Sequence, residues 1–141
     1  MAGWRATKGY VENVAVAIAL AAERSQAAGR IYNVGEPDAP TELEWARDIA
    51  RAMEWDGEFR VVRDDHVPPY LRSPGNTAQH WVTDTGRVRE ELGFSESVPR
   101  QEAIRRTVEW HRTNQPQSVT PHQFDYAAED AAIAAADREY A

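Results

Sequence analysis

The stretch Arg30-Ile31-Tyr32-Asn33-Val34-Gly35-Glu36-Pro37-Asp38-Ala39-Pro40-Thr41-Glu42-Leu43-Glu44 sets the reading of the whole chain. Ile31, Tyr32 and Val34 are β-branched or aromatic, and Gly35, Pro37 and Pro40 close the run, so the residues read as one short strand ending in a turn. Thr41 and Glu44 then form a capping box, in which the hydroxyl takes the amide of Glu44 and the carboxylate returns to the amide of Thr41. A helix begins there. A helical pattern precedes the strand and another follows it, and each needs a layer on which to bury its apolar face. One short strand makes no sheet, so the chain is expected to lean on something outside itself.

Working outward, the apolar positions Val11, Val14, Ala15, Ile18 and Ala22 fall at steps of three and four, which predicts a helix from Tyr10 to about Ala28 with that stripe inward and Gly29 as its stop. The helix after Thr41 places Leu43, Ala46, Ala50 and Met53 on one face, widened by Trp45 and Ile49, and ends at Asp56-Gly57. Phe59 to Arg63 is a second strand candidate, and His80-Trp81-Val82-Thr83 a third. Between them, residues 64–79 carry Pro68-Pro69 and form a loop of the length that tends to be functional or mobile. Asp84 caps a short helix through Leu92 with Gly93 after it. Pro99 opens a longer helix through Thr113, whose inward stripe is Ile104, Val108 and His111 beside Ala103, Thr107 and Trp110. Residues 1–9 read as a connecting segment, 10–116 as the body, and 117–141 as an acidic tail, helical from Asp125 to Tyr140.

Composition narrows the function classes. With 141 residues there is room for one modest core, and the balance of 42% hydrophobic to 28% charged residues is that of a folding chain. The formal charge of −7 argues against a nucleic-acid binder, because an acidic surface repels a phosphate backbone. The chain has no Cys, which excludes disulfides and thiolate metal sites and suits a reducing cytoplasm. No apolar run approaches the ~20 residues of a spanning helix.

Three blocks carry a resemblance. They are Gly9-Tyr10-Val11-Glu12-Asn13-Val14-Ala15, then Tyr32-Asn33-Val34-Gly35, then Asp84-Thr85-Gly86-Arg87 through Leu92-Gly93-Phe94 to Trp110. In this order the chain resembles the C-terminal half of the extended short-chain dehydrogenase/reductase family, the NAD-dependent epimerases and dehydratases acting mainly on nucleotide sugars. The fold implied is α/β: a helix-rich substrate-side half with two or three short strands and no complete Rossmann domain. The family opens with a Gly-x-x-Gly-x-x-Gly turn that holds the cofactor pyrophosphate, and no such spacing exists among the eight glycines here. Its proton-transfer pair, Tyr-x-x-x-Lys, is also missing, since Tyr10, Tyr32, Tyr70 and Tyr126 are followed at that spacing by Val14, Glu36, Pro74 and Asp130, and Tyr140 is one residue from the end. The resemblance therefore implies NAD(P) for an intact member, none bound by this chain alone, and no catalytic residue.

For the substrate side, the resemblance points to Arg72, whose Arg72-Ser73-Pro74-Gly75-Asn76 segment occupies the place of a diphosphate-holding Arg-Pro-Gly-Asp-like loop. Arg72 is a substrate clamp or a solvated loop arginine. Arg5, with Lys8, is a second basic contact or linker charge, and Asn33 is a residue near the substrate or part of the turn. His66, His80, His111 and His122 lack close ligand spacing, so no metal site is expected. Arg87, Arg89, Arg105 and Arg106 read as solvated helix faces. Trp4, Trp45, Trp55, Trp81 and Trp110 exceed what a half-domain buries, so some should form an exposed patch. Two functions remain open: a substrate-binding portion of a nucleotide-sugar enzyme, inactive alone and completed by a missing N-terminal half, or a non-catalytic assembly module, such as a homodimer, using the former interdomain face.

Overall fold

In the computed structural model, which describes residues 1–73, 75–118 and 124–139, the chain is organised around the capping box at Thr41. Thr41 Oγ1 accepts from the Glu44 amide at 3.1 Å, and the Thr41 amide donates to Glu44 Oε2 at 2.7 Å. These bonds hold the Glu44 carboxyl below the usual carboxylate range, the amide of Thr41 contributing most. They start a helix, α2 (Glu42–Met53), that ends at Glu54 in the left-handed conformation, φ 58°, before the expected Asp56-Gly57 stop. Pro74, His122 and Tyr140 lie outside the described residues.

The other helices are α1 (Val11–Glu23), α3 (Gly86–Leu92), α4 (Arg100–Thr113) and α5 (Tyr126–Glu139), with single 3₁₀ turns at Ser25–Ala27 and Pro69–Leu71. α1 gives way to the 3₁₀ turn earlier than the sequence suggests, and Gly29 takes φ 71° after it. Gly93, φ 63°, terminates α3, where its amide bonds back to Arg89 and Val88. Asp84 acts one residue early: Thr85 is the formal cap, and Asp84 Oδ1 accepts from the Gly86 amide at 2.8 Å.

Two helix pairs make the body, α1 on α3 and α2 on α4. The first encloses the best-buried core, Ala17, Val88, Leu92 and Phe94, with Leu20, Ala21, Ala27, Tyr32 and Val34 packed around it. This reverses the expected stripe of α1. Val11 is 72% exposed and Ile18 64%, and Ala15 and Ala22 are exposed as well, while Asn13 and Ala17 face inward. The reason is a polar anchor. Buried Asn13 donates from Nδ2 to the Val98 carbonyl at 2.8 Å, and its Oδ1 accepts from the Val98 amide at 3.0 Å and the Ser97 hydroxyl at 3.2 Å. A helix apolar on every side gives no preference by periodicity, so a satisfied buried amide fixes its rotation.

The expected strands do not form ladders. Among the described residues the only β pairing is two isolated bridges, Arg5 with Thr41 and Ala6 with Trp81. Residues 31–34 and 59–63 have strand composition and no pairing partner, and a strand needs neighbours to be stable. Trp81 pairs instead with the N-terminal segment. Residues 4–7 run beside 79–83 through Trp4 Nε1 to the Gln79 carbonyl (2.8 Å), the Trp81 amide to the Arg5 carbonyl (2.9 Å) and the Thr7 amide to the Trp81 carbonyl (3.1 Å). The segment expected only to connect is thus knitted into the body.

The tail helix α5 has Asp125 at its start, with Oδ1 accepting from the Ala128 amide at 3.1 Å. It is held at both ends. Tyr70 donates toward the Asp125 carbonyl and Glu129, and Arg60 pairs with Asp137, so Ala132 and Ala136 are buried. Among the tryptophans, Trp55, Trp81 and Trp110 are exposed, and of the stripe expected of α4, Thr107, Trp110 and His111 are exposed, Val108 is half-buried, and Ala103 and Ile104 are the buried positions.

Candidate functional site

The 79–84 segment is the place where the chain's expected substrate residues can be compared. Arg5 lies beside it. The Arg5 amide donates to His80 Nδ1 at 3.2 Å, while its guanidinium donates to the Ala39 carbonyl at 2.7 Å and sits 3.8 Å from Glu44. It braces the entry to α2. Asn33 lies at the far end of the same segment, donating from Nδ2 to the Asp84 carbonyl at 3.3 Å. Arg72 lies in the preceding loop, where Nε donates to the Val67 carbonyl at 2.8 Å and Nη2 to that of Asp65 at 3.2 Å. Those bonds fold the loop around an exposed guanidinium. No hydrogen bond or ion pair joins any two of the three among the described residues.

Gly35 has a packing role. A Cβ there would lie 2.5 Å from Thr7 Cγ2 and 3.0 Å from the Lys8 carbonyl, because the Glu36 amide bonds that carbonyl at 2.7 Å. The glycine nearest the strand-like segment is filled by the chain's own Thr7 and Lys8, and Gly29 and Gly93 follow helix C-termini, where carbonyls and not amides point outward. These residues do not form a pyrophosphate cradle. Among the described residues no group of three His, Asp or Glu side chains could hold a metal ion.

The arginines divide differently from expectation. Arg89 is no solvated surface charge: it grips Glu96 through two bonds of 2.9 and 2.5 Å, donates to the Gly35 carbonyl at 2.8 Å and lies 5.2 Å over the Phe94 ring. That pairing holds the Glu96 carboxyl below its ordinary range. Arg105 and Arg106 both hydrogen-bond Glu102, lowering its carboxyl to about 2, and Arg106 reaches Glu12 at 2.8 Å, tying α4 to α1.

Sequence periodicity did not single out a cleft of about 650 Å³ between α2 and α4. Trp45, Ile49, Ile104 and Val108 line its walls, with Lys8 and Glu36 toward one end and His111 toward the other. Its signal in the sequence was the breadth of the α2 and α4 stripes, which exceed what one contact covers. Two of its charged rim groups are already engaged. Lys8 Nζ pairs with Glu42 at 2.7 Å and lies 5.3 Å over Trp45, and Glu36 pairs with Arg100. Arg5, Asn33 and Arg72 do not line it. Its walls offer mainly apolar contact.

Over 89 residues, 62% of this chain, the sequence is 37% identical to a dTDP-glucose 4,6-dehydratase from Streptomyces niveus. The chain is similar in part to a dehydratase. It spans about a quarter of that curated relative's length, 24%. No family model matches the chain. No solved structure matches it either. Among the described residues no helix is long and apolar enough to cross a membrane.

Proposed function

We propose that this chain is the substrate-side portion of an NAD-dependent, nucleotide-sugar epimerase/dehydratase-like oxidoreductase of the extended short-chain type. The observation that carries the reading is the 37% identity over 89 residues to the dTDP-glucose 4,6-dehydratase. The substrate is a nucleotide sugar. The sequence lacks the glycine-rich cofactor turn and the Tyr-x-x-x-Lys pair, so in this reading the chain alone has no turnover and binds no NAD. Arg72 is the residue of this portion that holds the diphosphate. Its guanidinium is pre-positioned by two backbone carbonyls and exposed, which lowers the ordering cost of gripping phosphate oxygens. Arg5 and Asn33 frame the neighbouring 80–84 segment.

Isothermal titration with dTDP-glucose, UDP-glucose and NAD tests this. A sugar nucleotide binds and NAD does not, and Arg72→Ala weakens sugar-nucleotide binding at least about tenfold, a charge-assisted bond being the loss. Silence toward both sugar nucleotides, or binding unchanged in Arg72→Ala, overturns the substrate role. The exposed outer face of α1 favours a second reading, an assembly module, and a stable dimer that ignores every ligand would select it.

A further inference from the structure

The tail helix stands apart from the helical body. Among the described residues α5 packs against no other helix, and its polar attachments reach the irregular stretch 60–72 that ends in Arg72. At one end the Tyr70 hydroxyl lies 3.0 Å from the Asp125 carbonyl and 3.1 Å from Glu129 Oε1, sharing its proton between two acceptors. Burial, and next the Glu129 carboxylate, raise that hydroxyl above its ordinary pKa, so it stays a donor at neutral pH. At the other end Arg60 pairs with Asp137. Ala132 and Ala136, on the helix between those two points, are buried, so α5 is docked along its length.

The two attachments fix a distance. From Asp125 to Asp137 a helix rises about 18 Å, whereas the chain from Arg60 to Tyr70 can extend to about 35 Å or coil to much less. A rigid rod joining the ends of an irregular stretch removes most of those alternatives. The stretch so held is the one that carries Arg72. Its guanidinium donates from Nε to the Val67 carbonyl at 2.8 Å and from Nη2 to that of Asp65 at 3.2 Å. The Leu71 and Arg72 amides donate to the Pro68 and Pro69 carbonyls at 2.9 and 3.3 Å. Tyr70 sits inside that turn, Pro69–Leu71.

We propose that α5 is a splint for the 60–72 stretch and that Tyr70 is a positioning residue, holding the Arg72 guanidinium in the orientation that grips the diphosphate of a sugar nucleotide. This rests on the substrate role given to Arg72 above, and adds what sets the strength of its grip. Arg72 needs the carbonyls of Asp65 and Val67 in place together. With α5 undocked the loop samples other shapes, and binding then bears the cost of ordering it. The acidic side chains of α5 repel phosphate, so the helix acts through the loop and not by touching the ligand.

The test uses the full chain. Ala132→Glu together with Ala136→Glu puts charge at the two buried positions and undocks α5 with helix-forming residues, and Tyr70→Phe removes only the hydroxyl. Amide hydrogen exchange is read beside titration with dTDP-glucose. In the double variant the Leu71 and Arg72 amides exchange at least about fivefold faster, those of α4 are unchanged, and dTDP-glucose binds at least about fivefold more weakly. Tyr70→Phe moves both readings the same way, by at least about twofold. The discriminating measurement is coupling. With Arg72→Ala already in place, undocking α5 weakens binding no further, because positioning acts only through Arg72, whereas general damage to the fold weakens both backgrounds alike. Equal weakening in both backgrounds overturns the proposal, as do loop amides that keep their exchange rates in the double variant. If Arg72→Ala weakens binding and undocking does not, the substrate role stands and the splint fails. If Arg72→Ala changes nothing, or dTDP-glucose does not bind, the substrate role fails and the positioning role with it. Should the double variant not fold, Tyr70→Phe decides by the same two readings.

Discussion

α1 and α2 are near twins in length, 13 and 12 residues, and flank the same strand-like segment, yet they are finished to different degrees. α2 has a reciprocal capping box, acidic residues in its first turn, a basic one in its last, and a charged outer side. α1 begins at Tyr10 with no side-chain cap bond and shows apolar residues to solvent over most of its length. The difference teaches that α2 is stabilised by its own sequence and by α4, whereas α1 is held from one side only, by the α3 core and the Asn13 anchor. Its other side faces solvent.

The comparison can be broken most sharply on the inner side of α1. Leu92 is fully buried against Ala17, and Leu92→Ala should cost about 2–5 kcal/mol, read from urea unfolding, through lost burial and the cavity left. A smaller loss is expected on the finished helix. Thr41→Ala removes one arm of the capping box and should cost about 1 kcal/mol, visible as loss of α2 stability in thermal melts.

Acid probes the ion pairs of α4 and of the turn after α3. Glu102 has its folded carboxyl lowered from 4.5 to about 2 by Arg105 and Arg106. The folded state therefore binds that proton less readily than the unfolded one, so the pair's contribution is full above about pH 4.5 and lost as pH falls toward about 2. The melting temperature should drop between pH 5 and pH 3, and Glu102→Gln should shrink that drop. Glu96 under Arg89 acts in the same direction. The smallest effect is expected on the outer face of α1: Ile18→Asp in the free chain should change stability by no more than about 0.5 kcal/mol, since that side chain is already in water. A large loss there would mean that the two sides of α1 are alike after all.

Much of the helical framework was legible. Thr41 and Glu44 announced α2 because a capping box is a local device whose partners lie three residues apart, and Gly93 announced the end of α3 because a left-handed C-cap favours glycine. Asp125 likewise marked α5. The candidate site was less legible. Arg5 binds Ala39 and Arg89 binds Glu96 and Gly35, and neither pairing follows from spacing, because each bond is made by residues brought together only by folding.

By itself, then, the sequence determined where α2, α4 and α5 begin and where α3 and α4 end, the absence of a glycine-rich turn and of a Tyr-x-x-x-Lys pair, and the strand pattern at 31–34. These depend on near neighbours. Only the tertiary structure decided which way α1 turns, that residues 4–7 run along 79–83, that Gly35 is occupied by Thr7, and that a cleft opens between α2 and α4. Such outcomes depend on distant contacts, above all on Asn13 meeting Val98, where one satisfied buried amide outweighs a stripe of valine, alanine and isoleucine that has nothing to pack against.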